Sequence, residues 1–473
     1  MSKYYQDLLE VGENEIDRMN FVFGAINDYK SSEEYKTASI AEDYARQQNT
    51  TIITYQKLLY TISGKAVPDN ISANYKLCSN FFNRFITQLT QYLLGNGVSF
   101  SNDKTKDALG DKFDNAVQKL GKKGLMGGQS FGFWNFDHVD VFAATEFAPL
   151  YDEENGALKA GIRFWQIDDS KPQRATLYEL DGYTEYIWNR RQDKETGTVS
   201  LIGEVLKEKT AYKLKYKESK ADGEKIYEGE NYKDFPIVPL FANEFKQSAL
   251  VGLRENIDCY DLIKSGFAND IDDASQIYWT ITNAGGMDDM DLVKFVERMK
   301  TVKAVTLDNQ EQVQTHTMDV PYESREKMLD RLRSDMYDDF MALDTKIIAG
   351  GAVTATQIEA AYEPLNSKAD EFEYQVTEFI QGILKLIGID DTPTYTRSKI
   401  VNKAEEIQIV TQAAMYLTPE YCTEKILTIM GDADKIDEVK EQIQELQLKA
   451  QENQENSDNP DENKEEEEED IEI

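Results

Sequence analysis

Three aspartate clusters carry the most obvious chemistry in this chain: Asp270/Asp272/Asp273, Asp288/Asp289/Asp291 and Asp335/Asp338/Asp339. Paired carboxylates can hold a divalent cation or exchange protons with a substrate. The chain, however, has 87 acidic residues among 473 and a formal net charge of −35, so clusters of this kind arise by chance. None fits the spacing of a calcium loop, and all three read as solvated charge or charge lining a passage. The two histidines, His138 and His316, fall on different predicted strands and read as structural or surface residues. A phosphate-binding loop needs a lysine after its second glycine. Gly128-Gln129-Ser130 and Gly350-Gly351 lack it, and no GxSxG or HExxH occurs. The sequence therefore predicts no catalytic residue, no metal site and no cofactor.

The bulk numbers set further limits. Forty per cent hydrophobic and 11% aromatic residues suffice for packed cores, and 473 residues call for two to four sub-domains. Ten prolines suit long uninterrupted helices. An acidic body argues against tight nucleic-acid binding but not against letting nucleic acid slide past. Cys78, Cys259 and Cys422 lie far apart, which argues against a disulfide framework and fits a reducing place of synthesis. The N-terminal stretch has no apolar run of signal-peptide length, and no window is apolar enough to span a membrane.

Hydrophobic periodicity divides the chain. Residues 1–60 read as helical with a break near Lys30–Glu34, and Asn74–Leu94 reads as a helix closed by Gly95-Asn96-Gly97. Val98–Phe100 reads as a short strand, and Asp103–Leu120 as one amphipathic helix ending in a glycine cluster. From Ser130 to Phe241 the period becomes two, with Asn155-Gly156 and Asp181-Gly182 as hairpin signals, which predicts an antiparallel sheet region. Two rods follow, at about Asn256–Tyr278 and Pro321–Leu343, with a mixed segment Trp279–Val320 between them. A third helix, Thr356–Gly388, alternates apolar steps of three and four from Ile358 to Leu386. Pro364 lies inside it and predicts a kink, since an interior proline costs about 3 kcal/mol unless the bend is used. Helices follow at Ala404–Tyr416, from Thr418-Pro419 to Gly431, and from about Lys435 into a disordered acidic tail.

The connection between the second rod and the third helix is longer than a plain helix turn and apolar: Asp344, Thr345, Lys346, Ile347, Ile348, Ala349, Gly350 and Gly351, then Ala352 to Ala355. Its one cation and its bulky Ile347/Ile348 pair mark it as a contact.

In order along the chain, several segments resemble the portal proteins of tailed bacteriophages, in the group typified by the siphophage SPP1. They are Tyr92-Leu93-Leu94-Gly95-Asn96-Gly97-Val98, with Gly97 where the family usually has proline, and Phe235-Pro236-Ile237-Val238-Pro239-Leu240 followed by Asn243-Glu244. Ile257-Asp258-Cys259-Tyr260-Asp261, Ser265-Gly266 and Asn269-Asp270 match the start of the family's stem. Glu405-Glu406-Ile407-Gln408 and the Asp437–Glu445 helix fit its crown. The usual residues before the stem are absent, since the chain reads Gln247-Ser248-Ala249-Leu250 there.

The resemblance implies a mixed α+β portal fold with wing, stem, clip and crown regions. It assigns residues 1–252 to the wing, 253–278 and 321–343 to the stem helices and 279–320 to the clip. Residues 344–355 become the tunnel loop, 356–390 a long kinked wing helix, 391–451 the crown and 452–473 an acidic tail. It also implies a homo-oligomeric ring at one capsid vertex, of about twelve copies in virions and twelve or thirteen when made alone, assembled in the host cytoplasm. Double-stranded DNA would pass through it, non-specifically, during packaging and ejection. The terminase large subunit and later a head-completion or adaptor protein would dock at the clip. Asp288, Asp289, Asp291, Lys303, Asp308, Gln310 and Gln312 are the candidate docking residues there. Major capsid and scaffolding proteins complete the implied partners. The alternative is a coiled-coil capsid-assembly scaffold without a channel, resting on the Ile358–Leu386 stripe.

Overall fold

The computed structural model describes residues 4–60, 64–70, 72–192, 199–219, 225–274, 278–282, 312–316, 322–346, 355–398, 403–432, 435–443 and 445. The chain divides into a large unit, residues 1–398, and a small one, residues 399–473.

The large unit opens with α1 (Tyr5–Val11), α2 (Glu15–Ser31), α3 (Glu33–Ala45) and α4 (Thr50–Thr54). The expected break between α2 and α3 is Ser32, whose hydroxyl caps α3 by accepting from the Tyr35 amide. A small hairpin, β1 (Leu58–Tyr60) with β2 (Ala66–Pro68), precedes α5 (Phe81–Leu94) and β3 (Val98–Phe100).

The predicted helix Asp103–Leu120 is in fact two, α6 (Asp103–Leu109) and α7 (Phe113–Gly127). Gly110 separates them. Its φ is +80°, which a side chain resists, and an added Cβ would sit 2.8 Å from the Asp137 carbonyl. The glycine cluster expected to end this helix mostly lies within α7, and only Gly128 is the left-handed cap.

The period-two region forms two sheets and a ribbon. Strands β4 (Gln129–Asn135) and β5 (His138–Ala143) join the later β13 in the order β13-β4-β5. Strands β6 (Phe147–Tyr151), β7 (Leu158–Trp165), β8 (Gln173–Glu179), β9 (Gly182–Gln192) and β10 (Val199–Thr210) form an antiparallel meander in the order β10-β9-β8-β7-β6. Both hairpin signals lie at its turns. β11 (Lys213–Ser219) and β12 (Lys225–Glu230) form the ribbon, and β13 (Ile237–Phe241) closes the region. Helix α2 packs Val22, Ala25 and Ile26 onto Ile162, Phe164, Leu177 and Trp188 of the meander, making a core of its own.

Two helices stand for the predicted rods: α8 (Arg254–Ala274) and α9 (Tyr322–Phe340). Tyr278, expected in the first rod, instead starts β14 (Tyr278–Thr282), which pairs with β15 (Gln312–His316). Its β-branched and aromatic neighbours, Trp279 to Thr282, favour a strand.

Helix α10 (Ala355–Ile387) is the main beam of the larger core. It runs on through the exposed Pro364, which leaves the Ala360 carbonyl without its usual helical donor. Tyr362, Leu365, Ala369, Phe372, Val376, Phe379 and Ile383 are all buried, so most of the predicted heptad stripe is satisfied within its own chain. That removes the basis of the coiled-coil scaffold. The partner surface is α5, α7 and the β13-β4-β5 sheet, reached closely because Gly132 on β4 has no side chain: a Cβ there would lie 2.6 Å from the Phe379 ring. β16 (Pro393–Tyr395) then pairs with β3.

In the small unit, α11 (Lys403–Ala413) precedes α12 (Pro419–Met430). As expected, Thr418 caps α12 and Gly431 ends it in the left-handed conformation.

Gly132→Val should destabilise the protein by about 1–3 kcal/mol through overpacking against Phe379. Adding Phe379→Leu should recover part of the lost melting temperature, and thermal melts of the two variants check this.

Candidate functional site

The segment before α5 shows how helix α8 is held. Residues 74–80, part of the predicted helix Asn74–Leu94, instead form an extended strap along α8. The cause is three polar side chains on one row of α8. Asp261 accepts from the Ser79 amide at 2.9 Å, Ser265 Oγ from the Leu77 amide at 3.0 Å, and Asn269 Oδ1 from the Tyr75 amide at 2.6 Å. Alternate residues of an extended chain stand about 6.6 Å apart, and helical positions four apart about 6 Å. The two repeats therefore keep step over three bonds. The backbone donors are taken by α8, which denies them to a longer α5.

The upper end of this zipper is buried. Asp261 is fully covered and Ser265 nearly so. Asn49, at the start of α4, donates from one Nδ2 to both the Ser79 carbonyl and Asp261. Burial pushes the Asp261 carboxyl above its ordinary value, against these hydrogen bonds. One turn earlier, Asp258 accepts from the Tyr44 and Thr51 hydroxyls and pairs with Arg254. The Asp261, Ser265 and Asn269 of the stem motif are thus fasteners rather than catalytic groups.

Helices α8 and α9 pack side by side. Phe267 meets Tyr322 edge-on at 5.8 Å, Arg325 pairs with Asp270, and Asn256 donates to Asp339 at 3.0 Å. At their base, Phe81 and Phe85 of α5 meet Tyr260 of α8 and Tyr337 and Phe340 of α9, with ring centroids 4.9–6.4 Å apart. Of the aspartate clusters, Asp270 and Asp335 are in ion pairs with Arg325 and Arg331, and Asp339 is in a hydrogen bond. Among the described residues, no group of acidic, histidine or cysteine side chains is arranged to hold a metal ion.

The root of the predicted loop is fixed from two sides. Helix α9 ends at Met341, a non-glycine residue with φ +61°, and the Ala342 amide reaches back to the Tyr337 carbonyl at 2.9 Å. Gln88 of α5 then grips the next residue by both backbone groups. Its Nε2 donates to the Leu343 carbonyl at 3.0 Å, and its Oε1 accepts from the Leu343 amide at 3.2 Å. Asp344 receives both guanidinium nitrogens of Arg333 at 2.7 Å, and its other neighbour is the Lys346 amide at 3.0 Å. Arg333 in turn lies over the Tyr337 ring at 4.7 Å. Burial acts to raise the Asp344 carboxyl, but Arg333 overrides it and the net shift is downward.

Asp344 is therefore the loop's anchor, while Thr345 and Lys346 are exposed. Ile347, Ile348, Ala349, Gly350 and Gly351 lie outside the described residues, as do Asp288, Asp289, Asp291, Lys303, Asp308 and Gln310. Gln312 lies on β15. His138 is a surface residue on β5, its Nδ1 2.7 Å from the Asp137 carboxylate. Sequence reasoning missed Gln88 and Arg333. A polar row at every fourth position of α8 was the available signal for the zipper, whereas a lone glutamine on an amphipathic helix gives none.

Residues 41–456 match the family described as phage portal protein, SPP1 Gp6-like. The chain is 25% identical over 377 residues to the portal protein of Clostridium phage phiCD119, covering 72% of this chain and 79% of that one. It is 22% identical over 400 residues to the portal protein of Bacillus phage SPP1, covering 76% and 73%.

Two outcomes follow from this geometry. Asp261→Ala leaves two buried donors unpaired and should cost about 2–4 kcal/mol, measured by thermal or urea unfolding. Asp344 has a depressed pKa, so its contribution is present above the unfolded carboxylate range and fades as pH falls through the folded value. The stability difference between the native chain and Asp344→Asn should therefore be largest near neutral pH and vanish in acid, as melts across that range would record.

Proposed function

The chain belongs to the SPP1 Gp6-like family of phage portal proteins, and on that premise we propose how its parts serve a portal. The observation that carries the reading is the family match over residues 41–456, which spans both rods, the connection between them and the long helix after them. Copies of the chain form a ring, about twelve in the virion, at one capsid vertex. Helices α8 and α9 are the stem, residues 279–320 the clip, residues 344–355 the tunnel loop and residues 391–451 the crown. The wing comprises residues 1–252 together with α10, whose Pro364 lets it bend around the core.

Double-stranded DNA passes through the ring without being read. A net charge of −35 supports this, because an acidic surface repels phosphates and keeps a sliding duplex from sticking. The anchored root at Leu343 and Asp344 supports a loop that presents Lys346, with Ile347 and Ile348, to the passing backbone. Terminase large subunit docks at the clip during packaging, and a head-completion or adaptor protein replaces it. Scaffolding and major capsid proteins contact the wing and stem. The chain itself catalyses nothing in this scheme and needs no cofactor.

Mass photometry of the purified chain should give rings of about twelve or thirteen copies; dimers or trimers would overturn the reading. In packaging assays, rings carrying Lys346→Ala, Ile347→Ala and Ile348→Ala should assemble normally yet change the packaging rate or the length of DNA packaged. Unchanged packaging would remove the loop from the DNA path.

A further inference from the structure

Helix α5 is held at two points, one by α8 and one by the residues that follow α9. At its N-terminal end the strap joins it to α8 through Asp261, Ser265 and Asn269. Seven residues into the helix, Gln88 grips Leu343 by both its amide and its carbonyl. Between these points α5 is embedded: Phe82, Phe85 and Ile86 are buried.

What Gln88 restrains is under strain. Met341 has φ +61°, a conformation that costs an L side chain energy and persists only where surrounding contacts impose it. The contacts that impose it lie just downstream, where Leu343 is buried and clamped by Gln88 and Asp344 is clamped by Arg333.

We propose that α5 is a mechanical link that couples the position of stem helix α8 to the loop root at Met341–Asp344, with Met341 as the strained hinge. The path runs from the Ser265 row of α8 through strap residues 75–79, along α5 to Gln88, and into Leu343. A second connection runs through α9, whose Arg333 holds Asp344 beyond Met341, but the Leu343 backbone is held by Gln88 of α5. Displacing α8 relative to the wing pulls the strap, the strap moves the first turn of α5, and Gln88 delivers that movement to Leu343. If the portal reading holds, this link lets events at the clip end of the stem reset the start of the tunnel loop.

Hydrogen exchange in the whole chain tests the link as a two-site cycle. Ser265→Ala removes the acceptor of the Leu77 amide and touches nothing near Leu343. It should speed exchange of the Leu343 amide about tenfold, while the buried Phe372 amide of α10 keeps its native rate. Gln88→Leu should speed Leu343 exchange directly, and in that background Ser265→Ala should add nothing further. The proposal is overturned if Ser265→Ala frees Leu77 but leaves Leu343 at its native rate, if the two effects multiply in the double variant, or if Phe372 accelerates equally. Should Ser265→Ala not fold by circular dichroism, Asn269→Ser, which shortens the acceptor below Tyr75, is judged by the same three criteria. The cycle needs no ring and no DNA. A chain that fails to form rings but shows the coupling refutes the portal reading alone; rings without coupling refute the link alone.

Discussion

The placement of helix α8 depends on one row of hydrogen bonds between that helix and an extended segment. A helix normally presents no backbone groups sideways, so it cannot join a neighbouring strand as another strand would. Helix α8 does so with side chains: Asp261, Ser265 and Asn269 offer one acceptor per turn, and the strap offers one amide every second residue. The match of about 6 Å to about 6.6 Å makes the pairing possible over this length. Because the top of the row is buried, breaking it exposes no compensating water, and the helix is held in one register.

Around that row the rest of the molecule behaves as a frame. The heptad stripe of α10 fills the larger core from within the chain, and the bare backbone of Gly132 lets Phe379 settle onto the sheet. The meander and α2 make a second core. Rigid packing on one side and a polar zipper on the other leave α5 between them. The polar choices at the zipper are weaker per contact than apolar packing but directional, which suits an element that has to keep a register instead of merely being covered.

Electrostatics follow the same division. The ionic contacts that matter structurally are short and partly buried, such as Arg333 on Asp344 and Arg18 on Glu179. The chain carries a large acidic excess, whose consequence is repulsion of other anions.

Much of this was legible in the residues. Periodicity predicted α10, the paired rods and the antiparallel region, because each buries a face whose spacing is written in a single segment. The glycines at 156 and 431 and the Thr418 cap marked their turns and ends for local reasons of φ and hydrogen bonding. The order of weak motifs pointed to the portal family. What the sequence left open were the features that depend on a second segment far along the chain. Leu77 looks helical beside Phe81 until Ser265, 188 positions away, takes its amide. The α10 stripe looks like an assembly seam until α5, α7 and the sheet are seen to cover it. Asp344 looks like one more carboxylate until Arg333 reaches it. The sequence alone determined which faces must be buried and where the chain must turn, since both are set by local chemistry. Only the tertiary structure decided which partner covers each face and which donor meets each acceptor, because those pairings depend on distances through space that no local pattern records.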